Sequence, residues 1–230
     1  DPYGDGDIPR GWCVDLKTDN NTPPLPGVIT IDKNQTSYGV ILESINGVPV
    51  TWMRQTFNYC PNLTTAPILP SGLTSMDATF QNCTNLKTYA GSTAADGDFS
   101  GYELPVSVVK MKASFQDCDS ITTAPEIPAG VTELRWTFER CDSLTTAPEI
   151  PAGVTKLTRT FCECPSLVTA PSVIPESVED MYEAFGGCTS LTGSITINAT
   201  PTQYDKCLQG TQITEILGSC GNKEAILATK

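Results

Sequence analysis

Apolar and polar positions recur along this chain in a unit of 23 residues. The unit that begins at Val131 reads VTELRWTFERCDSLTTAPEIPAG, and the next unit begins at once with Val154 in the same register. A period of this length is typical of a solenoid, in which each coil buries its apolar face only against its neighbours. The pattern therefore predicts an elongated stack of about seven coils.

The most regular column is a phenylalanine followed three residues later by a cysteine. A leucine or isoleucine follows each cysteine by three residues, and aliphatic residues or methionine precede each phenylalanine by seven and by four. Five or six apolar residues per coil, always in one register, predict a continuous stacked core. The six pairs are Phe57/Cys60, Phe80/Cys83, Phe115/Cys118, Phe138/Cys141, Phe161/Cys164 and Phe185/Cys188.

Each unit contains two predicted strands and one predicted turn. Short strands are expected at Leu-Thr-Thr-Ala and at Val-Thr-x-Leu, and proline ends them because it cannot donate to a ladder between coils. The 3/4 spacing of Thr-Phe-x-x-Cys-x-x-Leu favours a helical or 3₁₀ turn between them. The predicted fold is a solenoid of mainly short parallel β-strands with short helical or 3₁₀ turns.

Two interruptions and two ends depart from the repeat. Phe80 and Phe115 lie 35 residues apart, one period plus 12, and the composition of residues 91–102 indicates an inserted loop. One extra residue lies between Phe161 and Phe185, and a degenerate seventh coil places Cys207 in the phenylalanine column. The predicted organisation is an N-terminal region at 1–45 with an extended arm at 1–7 and capping strands at 27–32 and 38–42, the solenoid at 46–217, and a cap at 218–230 with a short helix at 222–228.

The spelling Phe-x-x-Cys-x-x-Leu, then Ile-Pro-x-x-Val-x-x-Leu, resembles the BspA-like leucine-rich repeats, also called the Treponema pallidum type. The resemblance covers residues 50 to about 217. It implies a leucine-rich-repeat fold and an exported surface protein of a host-associated bacterium, similar to adhesins that bind host extracellular proteins or other bacteria. The chain carries Thr-Thr-Ala-Pro where the family usually has an alternating aliphatic strand. The side chains on its exposed strand face therefore differ from those usual in the family.

The charge and composition limit the classes of molecule that this chain is expected to bind. The net charge of −12 argues against nucleic acid, whose binding depends on Lys and Arg, and against anionic lipid. The sequence shows no apolar run long enough to span a membrane and no signal segment, which favours the trimmed part of an exported monomer. The expected partner is a host extracellular protein or glycan, or another bacterial surface protein.

Catalysis, cofactors and metals are not expected. The chain has no histidine, which removes Ser–His and Cys–His nucleophile pairs and imidazole ligands. The cysteine column predicts buried, inert thiols, since equivalent residues on successive coils point the same way instead of toward each other. Pairing of the off-column residues Cys13, Cys162, Cys207 and Cys220 stays open, and Cys162-Glu163-Cys164 alone is a weak metal or redox signal.

Two Asp-Gly-Asp turns and the threonines are the remaining candidates. Asp5-Gly6-Asp7 and Asp96-Gly97-Asp98 lack the rest of a calcium loop, so solvated turns are favoured over Ca²⁺ sites. Phe99 and Tyr102 in the insertion either anchor a partner or pack back onto the solenoid edge. One strand column is predicted to face outward as the binding surface, although threonine is also an ordinary surface strand residue. It comprises Thr65, Thr88, Thr123, Thr146 and Thr169.

The sequence therefore leaves two functional hypotheses. The first is a non-catalytic extracellular binding module, a bacterial surface adhesin that presents a solenoid face to a protein or glycan. The alternative is a structural spacer or stalk with no ligand of its own. The first hypothesis rests on the resemblance and not on a site in the sequence.

Overall fold

The structure, a computed structural model, describes residues 31–45 and 47–230 as a stack of coils joined by short parallel pairings. Three strand pairs and one helix are long enough to be named, and single bridges join most other coils. The elements are β1 (Ser44–Ile45) antiparallel to β2 (Val48–Pro49), β3 (Thr65–Ala66) parallel to β4 (Thr88–Tyr89), β5 (Thr192–Thr196) parallel to β6 (Gln212–Leu217), and α1 (Lys223–Leu227).

Two ladders of parallel bridges run along the stack, one through each strand predicted per coil. The first passes through the threonine column and the second through the residue five before each phenylalanine. These ladders confirm the short parallel strands, which shrink to single bridges in most coils. The second ladder comprises Trp52, Ser75 and Lys110, and then Glu133, Lys156, Asp180 and Gln203.

The phenylalanine column is the centre of the core. All six rings are fully buried, and neighbouring ring centroids lie 5.4–5.8 Å apart. Each ring covers the ring of the next coil, so one residue type recurs because one environment recurs. The methionine, leucine and valine columns predicted around it are buried as well.

The Thr-Phe-x-x-Cys segment is not the helical turn that its spacing predicts. The residues two before and two after each phenylalanine have positive φ, as at Trp136 (58°) and Arg140 (57°). Alternate N–H groups then point out of the coil, and Phe138 donates to the Thr160 carbonyl of the next coil at 2.9 Å. The other N–H groups close local turns, as from Thr137 to Leu134 at 3.3 Å. The segment is therefore a string of turns bonded to its neighbours.

The polar members of this segment donate to backbone carbonyls of the preceding coil. The Thr160 hydroxyl donates to the Leu134 carbonyl of the preceding coil at 2.7 Å. The Cys164 thiol donates to the Phe138 carbonyl at 3.0 Å. Because a carbonyl oxygen can accept two hydrogen bonds, and a buried hydroxyl without a partner is costly, these small side chains are suited to bonding across the coils. The recurring spelling Thr-Phe-x-x-Cys thus records two side-chain hydrogen bonds between coils.

The seventh coil differs by one residue from its prediction. Phe161 donates to the residue before Phe185, and Phe185 likewise donates to the Cys207 carbonyl at 2.9 Å. Cys207 therefore occupies the threonine column, and Leu208 fills the phenylalanine column in its place. The helix predicted at the C-terminal end is confirmed as α1, which buries Ile226 completely.

The N-terminal part of the described chain forms a further rung on the stack. Ser37 and Val40 make parallel bridges to Thr65 and Ile68, so the predicted strand at 38–42 is reduced to isolated bridges. The predicted arm at 1–7, Cys13 and most of the predicted strand at 27–32 lie outside the described residues.

Candidate binding face

The predicted threonine column lies on the first ladder and faces away from the core. Thr123 bridges Thr146, which bridges Thr169, while the next residues Ala124 and Ala147 are buried. Because successive strand residues point to opposite sides, the threonines face outward. Thr169 is exposed, and Thr65, Thr88, Thr123 and Thr146 are half-buried by their neighbours. The structure thus brings all five predicted threonines into one outward column.

The neighbouring threonine column is tied into the stack. The Thr145 hydroxyl donates to the Thr122 carbonyl of the preceding coil at 3.0 Å, and the Thr64 hydroxyl does the same to Thr36 at 3.2 Å. These hydroxyls are engaged in holding coils together. The outward column is therefore the better candidate for contact with a partner.

The 12-residue insertion adds a rung to the first ladder. Gly97 donates to the Lys87 carbonyl at 2.6 Å, Asp98 bridges Thr123, and Phe99 donates to the Thr123 carbonyl at 2.9 Å. Only glycine fits at position 97, where φ is 86° and a Cβ would lie 2.6 Å from the Ser120 carbonyl oxygen. The threonine column is thus interrupted by Asp98.

The two aromatic residues of the insertion pack inward and are not exposed anchors. Phe99 is 0% exposed and Tyr102 is 4% exposed, and both rings contact Tyr89 at 5.7 and 5.3 Å between centroids. The Tyr102 hydroxyl donates to the Pro67 carbonyl at 2.7 Å. The second alternative left by the sequence, packing onto the solenoid, is the one observed. The extra rung leaves a space beside the core that only large side chains fill.

The repeat geometry agrees with a comparison by sequence. A family model described as the BspA type leucine-rich repeat region matches the chain in six copies, over residues 43–94 and 111–224. The chain belongs to the BspA-type leucine-rich repeat family. The gap between the two matched ranges includes the extra rung. Proteins built from these repeats have protein-binding or structural roles, are generally non-enzymatic, and are typically surface or secreted proteins.

Two solved structures share the fold of this BspA-type chain. A leucine-rich repeat protein from Bacteroides ovatus has 21% identity and a TM-score of 0.57, with 78% of this chain and 44% of that chain covered. The Treponema pallidum leucine-rich repeat protein has 21% identity and a TM-score of 0.53, covering 69% and 71%. The chain therefore spans less than half of the Bacteroides ovatus protein. No curated protein matches it in sequence.

The cysteines of the BspA-type repeat are buried thiols. All nine that fall within the described residues are unpaired, including Cys162, Cys207 and Cys220. Burial raises the pKa of the Cys60 thiol to about 11 and that of the Cys188 thiol to about 12. A hydrogen bond from the Cys164 backbone to the Cys188 sulfur opposes the rise at Cys188. A thiol with so high a pKa is a poor nucleophile at neutral pH.

The metal candidates find no further support. Cys164 bonds to a carbonyl of the core column, whereas the Cys162 sulfur lies 4.0 Å from Glu183 on another side of the segment. The Asp98 carboxylate accepts the Ser100 N–H at 2.9 Å, which lowers its pKa and closes the turn. Asp96 pairs with Lys87 at 3.0 Å. In residues 31–45 and 47–230, no group of three Cys, Asp or Glu side chains could hold a metal, and no helix could cross a bilayer.

Sequence reasoning missed a polar network that crosses five coils. It runs between the phenylalanine column and the surface, where Gln116 accepts from Gln81 and donates to Glu139, each at 2.6 Å. Arg159 then pairs with both Glu139 and Glu183. Burial raises the pKa of Glu139, against the lowering effect of Arg159. The signal in the sequence was an amide or acidic residue directly after each of the first four phenylalanines, whereas Arg159 and Glu183 lie two residues before theirs.

A second missed feature is a pair of lysine–tryptophan contacts, one on the second ladder and one beside it. The Lys110 ammonium lies 5.8 Å from the centroid of the Trp52 ring, and Lys112 lies 5.0 Å from that of Trp136. Lys110 reaches Trp52 across Ser75, whose small side chain leaves the path open. Cation–π contacts of this kind stabilise neighbouring coils by about 0.5–1 kcal/mol each at exposed sites.

Proposed function

We propose that this chain is a non-catalytic extracellular binding module, a surface adhesin of a host-associated bacterium that recognises a protein or a glycan. The observation that supports this is the outward threonine column on a ladder whose other polar groups are engaged between coils. The column, which Asp98 interrupts between Thr88 and Thr123, holds its hydroxyl groups on a rigid ladder, so a partner binds them with little loss of conformational entropy. The family's binding or structural roles agree with it.

The test is binding of the purified chain to an array of host matrix proteins, mucins and glycans. Thr146→Arg and Thr169→Arg place a long cation on the outward column. Thr132→Arg is the matched control, because Thr132 is exposed but lies outside that column. We expect a saturable signal that the first two variants abolish and the control retains, with circular dichroism showing all three folded.

A structural spacer is the second candidate. The polar network from Gln81 to Glu183 favours it, since it ties five coils together through side chains and stiffens the rod. A folded protein that stays silent across the whole array would support the spacer and contradict the adhesin. A signal lost equally in Thr132→Arg would exclude the threonine column as its source.

A further inference from the structure

Three successive coils place a glutamate in the same column of the repeat. When the 12 inserted residues 91–102 are set aside, Glu103-Leu104-Pro105 aligns with Glu126-Ile127-Pro128 and with Glu149-Ile150-Pro151. Like charges on neighbouring rungs repel and destabilise a ladder. The fold does not require them, since Ser172 holds the same column one coil later. Their repetition therefore calls for a reason other than folding.

Residues 100–102 of the insertion lie beside this column and line a space there. The rung separates the coils on the threonine side, whereas on the other side the Phe80 and Phe115 rings remain in contact at 5.5 Å. These two rings are inclined by 24°, and the Phe161 and Phe185 rings, which flank the single extra residue, are inclined by 19°, compared with 3–5° for the other neighbouring pairs. The ring inclination therefore marks the two interruptions of the repeat, and residues 103 and 126 lie next to the larger one.

A cleft of about 620 Å³ lies between residues 100–106 and 126–129, and a hollow of about 520 Å³ continues it to residues 147–151. We call the two together the glutamate cleft. Its walls include Val106, which is 91% exposed, and the half-buried Ile127. Thr123 of the outward column also lines it. The volume is that of a ligand or peptide site and not of a bound water.

The charges of the glutamate cleft have one sign. None of the residues that line it is Lys or Arg. Glu149 accepts the Ser172 hydroxyl at 2.6 Å, whereas Glu103 and Glu126 have no hydrogen-bond or ion-pair partner in the part of the chain that the structure describes. Two exposed carboxylates and an exposed valine side by side complement a residue that is apolar along its stem and cationic at its tip. Lysine and arginine have that form.

We propose that the glutamate cleft docks an extended cationic peptide segment of a partner protein, with lysine or arginine heads at the glutamates and aliphatic side chains on Val106 and Ile127. This rests on the binding role proposed above and adds the class of partner. Cations bound at the column cancel the repulsion between its carboxylates. The same repulsion that destabilises the free protein therefore favours binding. Alternate residues of an extended segment lie about 6.8 Å apart and neighbouring rungs about 4.8 Å apart, and the flexible stems of lysine and arginine span the difference.

Fluorescence anisotropy with a labelled octapeptide that alternates lysine and valine tests the proposal. We expect saturable binding that weakens at least tenfold between low and high salt, because the pairing is charged and exposed. An octapeptide of glutamate and valine should not bind. The double variant Glu103→Gln/Glu126→Gln should weaken binding about tenfold or more, and Val106→Ser should weaken it as well.

The matched control is Glu176→Gln/Glu215→Gln, which removes the same charge at two exposed positions outside the cleft. An equal loss in this control would assign the signal to net charge and overturn the proposal. Absent binding to the lysine–valine peptide, with a folded protein, would also overturn it. So would self-association that the cleft variants abolish, since the occupant would then be a second copy. If the lysine–valine peptide does not bind but the array signal is present and is lost only in Thr146→Arg, the adhesin proposal stands and the cleft proposal fails.

Discussion

Removing one ring from the phenylalanine column should greatly lower the free energy of unfolding of the stack. Phe138 is fully buried between Phe115 and Phe161, at 5.6 and 5.8 Å between ring centroids and within 5° of parallel to each. Phe138→Ala deletes the ring and leaves the backbone hydrogen bond to the Thr160 carbonyl in place. The change therefore isolates the contribution of packing.

The expected loss follows from burial and stacking. Phenylalanine-to-alanine changes in closed cores cost about 3–5 kcal/mol, because the lost burial is joined by a cavity that relaxes only in part. Stacked aromatic pairs contribute about 0.5–1.5 kcal/mol beyond their buried area, and Phe138 makes two of them, which places the change toward the upper end. Phe138→Leu retains most of the apolar volume and should cost about 1.5 kcal/mol or somewhat more.

Urea unfolding followed by circular dichroism measures both losses. Because coils of a solenoid can unfold separately, hydrogen exchange at the backbone amides of Phe115 and Phe161 should be measured alongside the urea unfolding. We expect both amides to lose protection in Phe138→Ala before those of the terminal coil. A loss below about 1 kcal/mol in Phe138→Ala, or equal losses in the alanine and leucine variants, would refute the stacked column as the main source of stability.

Four further predictions concern the insertion, the thiols and the acids. Gly97→Ala should cost more than about 1 kcal/mol in urea unfolding because of its positive φ and close contact, whereas Gly72→Ala, with open space around it, should be neutral or slightly stabilising. Tyr102→Phe should cost about 1–2 kcal/mol, since it leaves the buried Pro67 carbonyl without its partner, and thermal unfolding would detect it. At pH 8 the native thiols of Cys60 and Cys188, with pKa values of about 11 and 12, should resist iodoacetamide and react once urea is added, as read by mass spectrometry; rapid native alkylation would contradict their burial. Burial, and to a smaller extent repulsion from Asp142 and Asp117, raises the pKa of the Asp119 carboxyl, so its ionisation lowers the free energy of unfolding as pH rises. Asp119→Asn should therefore stabilise the fold at pH 7. Urea unfolding at several pH values should show the gain vanish below the unfolded pKa of about 4.

Periodicity predicted the core because each coil repeats one environment. The Phe138 and Cys141 columns could be recognised without any knowledge of the backbone, since the same contact recurs in every coil. The inertness of the thiols followed from the same repetition. The parallel ladders followed from the repeat as well, although prolines shorten the strands more than the sequence suggested.

The conformation of the Thr-Phe-x-x-Cys segment could not be read in this way. Apolar residues spaced by three and four positions fit a helix and a string of turns equally well. The residues with positive φ include Trp136, Arg159 and Ala113, which carry none of the glycine or asparagine signal that usually marks such a backbone. Hydrogen bonds between coils hold them there, and these depend on the neighbouring coil and not on local sequence.

The interruption of the repeat explains why the candidate sites gather where they do. Within an unbroken stack, the neighbours of each coil determine its surface, so the outward threonine column can only repeat. An extra rung on one side interrupts this repetition, and the inclination of Phe80 against Phe115 marks the interruption. Phe99 and Tyr102 are buried beside the extra rung, and the glutamate cleft begins at residues 100–103 next to them. The insertion thus offers no exposed aromatic anchor, and its residues 100–102 instead form part of the wall of the cleft beside Glu103 and Glu126.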